Sequence, residues 1–426
     1  MKNLFKIIVI VNFLISPGVS LADTLFDSLN SAYLNNSKLN AERAKMRASK
    51  EEKREAVSEF LPSVIIEGYV SQQDNTGGTV SNYEPSEQSI TVEQKIFQGG
   101  SGIANYEKKK QGQLIGEFRL KKIEQEILLE AAKAHADLLL NMKKVDINLL
   151  NIELLERQVE TDQNRLEKGE ISLTDLAQSE ASLAGARAQL IAAQNDLITS
   201  KANFQKVIGK KSTNNIQEIK EPNLNLPESL AAASSISNSE NPDLQISHLE
   251  YKQAKLDVII AGSDFSPSAT LSYKIAEQDD FSSSVQDRTQ QTVKATATWP
   301  LFSGGSHIFN LRKVQEIRNQ KELLYEDNKK KIETDVANFW SSYQSSKSVL
   351  DSIRSQVRAA EIASEGITLE YESGTGRSTL EVIQSRSILL NSRINLATSE
   401  RNFFISQFEL MSAIGRLTAK QLNLKK

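Results

Sequence analysis

No cysteine occurs in the 426 residues, so no disulfide braces this chain and no thiol is available to bind metal or carry lipid. Histidine is almost as scarce. His135, His248 and His307 stand far apart, none at the spacing of paired metal ligands, and each reads as an ordinary helix or boundary residue. Neither sign of charge dominates, with 51 Lys and Arg against 54 Asp and Glu, which gives no footing for a nucleic-acid partner. There is no G-x-x-x-x-G-K-[ST] phosphate loop, no H-E-x-x-H helix and no G-x-S-x-G elbow, so no catalytic, metal-binding or cofactor-binding residue is assigned and an enzyme is the weakest reading. Beyond the first residues no apolar run reaches the roughly 20 residues of a spanning helix, and a membrane crossing here requires strands.

The N-terminus reads as a secretory signal peptide over residues 1–22. Lys2 and Lys6 precede an apolar run from Ile7 to Ile15, and Ser20 and Ala22 stand at the A-x-A spacing of a cleavage site, giving a mature chain from Asp23. A membrane anchor is the competing reading, but Asn12 and Pro17 break the run short of a span.

What is present is a long internal echo. "IFQGG" at Ile96 returns as "LFSGG" at Leu301, 205 positions on, and the same offset links Pro62 to Pro267, Asn36 to Asn241 and Gly169 to Gly374. After one inserted residue the offset is 206, linking Asp175 to Glu381 and Gly209 to Gly415. Long spacings kept over most of a chain mean two copies of one unit.

Each copy opens with a charged helical stretch that ends at a proline, Pro62 or Pro267, where extended chain begins. The period then changes to two. Ala269, Leu271, Tyr273 and Ile275 oppose Thr270, Ser272 and Lys274, while Val293, Ala295, Ala297 and Trp299 oppose Lys294, Thr296 and Thr298. In the first copy Ile90, Val92 and Ile96 oppose Thr91, Glu93 and Lys95. "SQQDNTGGTVSNYEPSE" and "EQDDFSSSVQD" read as long hairpin loops. A soluble sheet with one wet face fits such alternation. Strands of about ten residues in an exported chain also fit a membrane barrel, with Trp299 in an interfacial girdle. Gly99 with Gly100, and Gly304 with Gly305, mark corners where strand gives way to helix.

Past each corner the sequence runs without proline to Lys168 or Ser373, with apolar residues every seven: Leu138, Val145, Ile152, Val159 and Leu166, then Tyr343, Leu350, Val357 and Tyr371, with Ser364 interrupting. A glycine tip follows, and a return helix with a stricter heptad, in which Leu176, Leu183, Leu190, Leu197 and Phe204 match Val382, Leu389, Leu396, Phe403 and Leu410. The first repeat covers 23–209, with hairpin about 62–97, long helix about 100–168 and return helix about 173–208. The second covers 241–415, with hairpin about 267–302, long helix about 305–372 and return helix about 378–414. Residues 210–240 read as a linker or equatorial segment and 416–426 as a C-terminal tail.

Four strands leave open edges, which hydrocarbon forbids, so several chains must share one barrel; two would give eight strands and three would give twelve. With the signal peptide, the doubled hairpin-and-helix unit, the prolines, the "LFSGG" corners and the glycine tips, the chain resembles the TolC family of outer-membrane efflux proteins. Lipid-modified members of that family carry a cysteine at the mature N-terminus, and this chain has none. The resemblance implies an α+β membrane protein: a homotrimer whose outer-membrane β-barrel, four strands per chain, is continuous with a long α-helical coiled-coil tunnel in the periplasm. It further implies contact with outer-membrane lipid, and as partners a periplasmic adaptor (membrane fusion) protein and an inner-membrane pump of ABC or RND type.

The resemblance also carries site residues. Gate links at the periplasmic tips map onto Thr174 and Asp175 in "GEISLTDLAQ" and onto Tyr371 and Arg377 in "YESGTGRSTLEVIQ", with an Asp175 to Arg377 link helping to hold the closed state. The family's two acidic rings in the bore map onto Glu381 and onto Gln384, where no acid stands, so a weaker cation preference is implied. Adaptor contact maps onto Gly169, Leu173, Gly374 and Leu380. Gly376 is an extra residue in this tip and shifts the register around it. The function implied is a passive exit duct for type I protein secretion or drug efflux. A soluble periplasmic coiled-coil adaptor is the alternative, though it calls for one helical hairpin between compact β domains rather than two hairpins and two strand pairs.

Overall fold

The computed structural model describes residues 24–72, 84–212, 224–282, 285–374 and 376–424. The signal peptide, most of the first hairpin loop and the first part of the segment read as a linker lie outside the described residues.

Two runs of elements follow one another in the same order. The first is α1 (Leu25–Asn35), α2 (Ser37–Val57), β1 (Ser63–Val70), β2 (Ser86–Gln98), α3 (Ser101–Glu167) and α4 (Leu173–Ile208). The second is α5 (Leu230–Glu240), α6 (Pro242–Ser263), β3 (Ser268–Ser282), β4 (Val285–Thr298), α7 (Ser306–Glu372) and α8 (Thr379–Ala413). Both long helices have 67 residues, about 100 Å at 1.5 Å per residue. Each run breaks its first helix at an asparagine. Asn36 and Asn241 leave the helix at ψ 122 and cap the next one, each side chain accepting the amides two and three residues on.

All four strands form one antiparallel sheet in the order β1-β2-β3-β4. The helices repeat that order below it. Next to the sheet α2 packs on α3, α3 on α6 and α6 on α7; farther down α4 packs on α3, α3 on α8 and α8 on α7. The chain is therefore a layer of four columns, with β2–α3 and β4–α7 each running its full length. In the sheet β1 and β4 are the two edge strands, and among the described residues neither edge is paired.

The sheet separates its faces by chemistry. Paired rows place Val64, Val92, Tyr273 and Val293 together, and Ile66, Ile90 and Ile275 beside them, on one face. Ile66 and Val293 are 77 % and 73 % exposed there, an apolar surface that none of the described residues covers. The opposite face carries Glu87, whose carboxylate accepts from Lys274 Nζ at 2.5 Å and Gln278 Nε2 at 2.6 Å. A bulge between Lys95 and Phe97 inserts Ile96 and brings Phe97 opposite Ala269, on the apolar face. Trp299, just past β4, is exposed and donates Nε1 to the Phe265 carbonyl at 3.0 Å.

Three sequence readings change. "EQDDFSSSVQD", a loop by its composition, is instead largely strand: β3 and β4 pair through most of it, with Asp279 opposite Asp287 and an irregularity at Asp280, φ +51. Alternation fails there because both faces are polar, not because the strands stop. The span 210–240 contains α5, capped by Ser229 and packed on α7 through Ala233 and Ser237. Its serine-rich sequence hides a helix whose support is tertiary. Residues 416–424 are no free tail: Leu417, Ala419 and Leu424 are buried, Arg416 holds Glu240 at 2.7 Å, and Glu124 accepts the Ala419 amide at 2.6 Å.

The core lies at mid-length, where α1 and the tail meet the long helices. Leu39, Leu128, Leu138, Phe204, Phe408 and Leu410 are fully buried there, each contributing about 1.5–3 kcal/mol. His135 sits among them with Nδ1 at 3.0 Å from Ser28 Oγ. At the corners Gly99, Gly100, Gly304 and Gly305 all have φ between +59 and +89. A Cβ on Gly99 would stand 2.6 Å from that of Ser266, so this turn admits glycine alone.

Candidate functional site

The far ends of the four lower helices form the candidate site, and local signals build both turns. After α3, Gly169 takes φ +73 and Glu170 donates its amide to the Arg165 carbonyl at 2.9 Å, satisfying the helix end. Ser172 then caps α4 in a capping box with Asp175. After α7, Gly374 and Gly376 take φ +76 and +93, and Ser378 caps α8 in a box with Glu381. A Cβ on Gly169 or Gly374 would meet nothing within 4 Å, so backbone conformation, not crowding, selects glycine.

Asp175 spends its carboxylate on its own cap: Oδ2 accepts from the Ser172 hydroxyl at 2.7 Å and its amide at 3.0 Å, and these hold its carboxyl below the usual aspartate range. Arg377 donates Nε to Glu370 Oε2 at 2.6 Å and Nη1 to Glu381 Oε1 at 2.9 Å, and the two carboxylates raise its guanidinium further. Within one chain, then, Asp175 and Arg377 are engaged elsewhere and make no link to each other. The Ser378 amide, then Arg377, keeps Glu381 ionised below the usual range. Its charge is partly countered by Arg377. Thr174, Leu173 and Leu380 are exposed beside the turns, the two leucines at 71 % and 45 %; Gln384 is exposed on α8.

Tyr371, for which the sequence names no partner, is held from the other hairpin. Its ring is buried, and Oη donates to Asp162 Oδ1 at 2.6 Å and lies 3.0 Å from Thr379 Oγ1. Burial first, and then the bond to Asp162, push the phenol above its usual range. Asp162, on α3, is completely buried and also accepts from Gln158 Nε2 at 2.9 Å and Ser179 Oγ at 2.5 Å. Arg165 stacks over the Tyr371 ring at 4.4 Å and donates to its carbonyl at 3.3 Å. One carboxylate thus ties α3 and α4 to the end of α7 and the start of α8. A buried carboxyl group accepting three hydrogen bonds is strongly held, and removing it strands its donors.

Above this joint α3 and α8 part around a groove of about 450 Å³ floored by Leu150, Leu154, Leu389 and Leu390. Arg386 closes its lower end, donating to the Leu154 carbonyl at 3.1 Å. Higher still the seam is held by Arg401 on Asp137 at 2.7 Å and Lys133 on Glu409 at 2.7 Å. Sequence reading missed Asp162, Glu370 and Arg386. Among the described residues no cluster suits a metal ion and no helix is long and apolar enough to cross a membrane.

A sheet with one apolar exposed face continues column by column into helices of about 100 Å, the architecture of an outer-membrane channel-tunnel subunit. A sequence profile of the family described as outer membrane efflux protein matches residues 28–210 and again 234–416. The chain belongs to that family. It is 25 % identical over 432 residues to the outer membrane efflux protein BepC of Brucella suis, covering all of this chain and 92 % of BepC. It is 21 % identical to TolC of Escherichia coli, over 99 % of this chain and 88 % of that protein. Its fold matches that of CusC with a TM-score of 0.83 at 17 % identity, over 93 % of this chain and 92 % of that one. VceC of Vibrio cholerae gives 0.79 at 18 % identity, over 92 % and 96 %. The protein is an efflux channel of the outer membrane, and the adaptor alternative is set aside.

Proposed function

We propose that three copies close edge to edge into a twelve-stranded barrel continuous with a tunnel of helical columns. This duct is the exit of a tripartite export system, passive in itself, through which proteins or small compounds leave the cell. The observation that carries the reading is the four-column layer with two free edges and an uncovered apolar sheet face: one chain cannot seal itself in lipid. The equal 67-residue helices and the family profile matching twice support an origin by duplication of one unit.

At the periplasmic end the tips form the gate. The Tyr371–Asp162–Ser179 joint holds the α7–α8 hairpin against α3 and α4, and an Asp175 to Arg377 link, not made within a chain, joins neighbouring copies in the closed state. Glu381 rings the bore as an anion near the entrance, giving a modest cation preference that Gln384 does not reinforce. Exposed Leu173 and Leu380, with Gly169 and Gly374, face a periplasmic adaptor that connects the duct to an inner-membrane pump of ABC or RND type. The test is conductance of the purified protein in planar bilayers. Discrete steps of low conductance that rise severalfold when Tyr371→Phe is combined with Arg377→Ser support the gate; no channel activity from either protein contradicts the duct.

A further inference from the structure

The polar face of the sheet is divided by charge. Rows of the register run Ser63, Glu93, Ser272, Lys294 and Glu67, Ser89, Ala276, Gln290, and a third runs Tyr69, Glu87, Gln278, Arg288. On this face acid sits on β1 and β2, as Glu67, Glu87 and Glu93, and base sits on β3 and β4, as Lys274, Arg288 and Lys294; Lys95, beside the bulge, is the exception. Glu67 lies on the open β1 edge, where its charge acts on Lys274 from a distance, and Lys294 on the open β4 edge; both are exposed, and among the described residues neither makes a direct ion pair or donates or accepts a hydrogen bond through its side chain.

We infer that β1 of one copy pairs with β4 of the next in a register that sets Glu67 beside the neighbour's Lys294. This rests on the barrel reading above and adds to it the residues that fix the joint. Three constraints select the register. The first is parity: polar face must meet polar face, so the stagger between copies is an even number of residues. The second is tilt. With no stagger Glu67 would face the neighbour's Gln290, because those two share a row. A stagger of four residues per chain is about 13 Å along the strands for about 19 Å across four of them, a tilt of about 35°; six residues gives about 46°, whereas two gives only about 19°.

The third constraint is hand. With β1 running outward and its apolar face to lipid, the right-handed coil of strands around a barrel moves the partner of Glu67 toward the C-terminal end of β4. Four residues place it opposite Lys294, and six place it opposite Thr296 with Lys294 on the diagonal, still within reach of a long side chain. The hydrogen-bonding pattern agrees. Ser71 donates its amide to the Pro85 carbonyl at 2.9 Å, so the odd residues of β1 bond toward β2 and the backbone groups of Val64, Ile66 and Gly68 face outward to the neighbour. Glu67 then occupies a non-hydrogen-bonded position, where opposed Cα atoms are only about 4.5 Å apart.

The absence of native cysteine makes this directly testable. In otherwise wild-type full-length protein, Glu67→Cys is combined with Lys294→Cys, with Thr296→Cys or with Gln290→Cys, mildly oxidised in membranes and run without reductant. Covalent trimer from the 294 or the 296 combination, and none from the 290 combination, is the expected result, since opposed Cα atoms at that spacing suit a disulfide. In parallel, Glu67→Lys and Lys294→Glu each lower the temperature at which the solubilised oligomer dissociates, and the double reversal restores it. A trimer that crosslinks only through residue 290, or through no pair, or whose double reversal is as weak as the two singles combined, overturns the register while leaving the barrel intact. A wild-type protein that is a single chain overturns both.

Discussion

At the first tip Asp175 serves only the cap of its own helix, whereas at the second tip Glu381, in the same position of the same box, is shared with Arg377, which also holds Glu370 on the outgoing helix. The second tip in turn reaches across: Tyr371, whose hydroxyl also meets that of Thr379, donates to Asp162, which belongs to the first hairpin. The same local signals therefore make two turns with unequal roles, one that offers an anchor and one that is anchored. The two runs of elements fold alike here and differ in what they touch.

The largest expected effect tests the difference between the two runs away from the tips. Gly209 and Gly415 end α4 and α8 at the same φ of +82. A Cβ on Gly209 meets only Asn35, at 3.6 Å, but on Gly415 it would run into the backbone of Glu240 and Asn241. Gly415→Ala should cost about 3–5 kcal/mol and Gly209→Ala about 1 kcal/mol, read from thermal unfolding of the solubilised protein. Equal losses would mean the two equators are packed alike.

Next in size is Asp162→Ala, which leaves the Tyr371, Ser179 and Gln158 donors without their acceptor, at about 3 kcal/mol for several buried donors stranded together. It should raise bilayer conductance as well as lower stability. Tyr371→Phe removes one donor and should cost about 1–2 kcal/mol, with a smaller rise in conductance. A Tyr371→Phe channel more open than the Asp162→Ala channel would place the anchor on the wrong hairpin. Arg377→Ser with Asp175→Ala acts on exposed groups and should change conductance with little change in stability. Unchanged conductance would remove both residues from the gate.

The smallest effect is on selectivity. Glu381 has a folded-state pKa below its ordinary value, so its charge is complete above that ordinary value and is lost only as the pH falls through the lower, folded one. Cation preference should stay level through the ordinary glutamate range, decline below it, and be reduced at neutral pH by Glu381→Gln. Reversal potentials in a potassium chloride gradient check this; equal potassium and chloride permeability in the native channel would count against the ring. The cap of Asp175 follows the same sign, contributing at neutral pH and fading only in acid below the ordinary aspartate value.

The features legible in the sequence were those with a local period or a local cap. The alternation around Tyr273 and Val293, the heptads through Leu176 and Val382, and the glycines at 169 and 374 each declare themselves within a few residues. Asp162 does not. In "ETDQNRLEKG" it is one acid among several on a charged helix, and its burial is created by Ser179 and Tyr371, which arrive from elsewhere in the chain. The helix α5 was illegible for a related reason, since serine and asparagine are weak helix formers and its support is the face it lays on α7. Ser364, read as a break in the α7 heptad, is buried at the seam like its apolar neighbours Val357 and Tyr371. The bond of Tyr371 to Asp162 was illegible for the same reason: a spacing can bring residues to one end of a bundle but cannot rank the acids waiting there.

The most direct measurement is the mass of the protein in the smallest detergent micelle that keeps it soluble, by light scattering corrected for bound detergent. The account gives three chains per particle and loss of solubility when detergent is withdrawn. A single chain, or a particle that remains soluble in plain buffer, would contradict it.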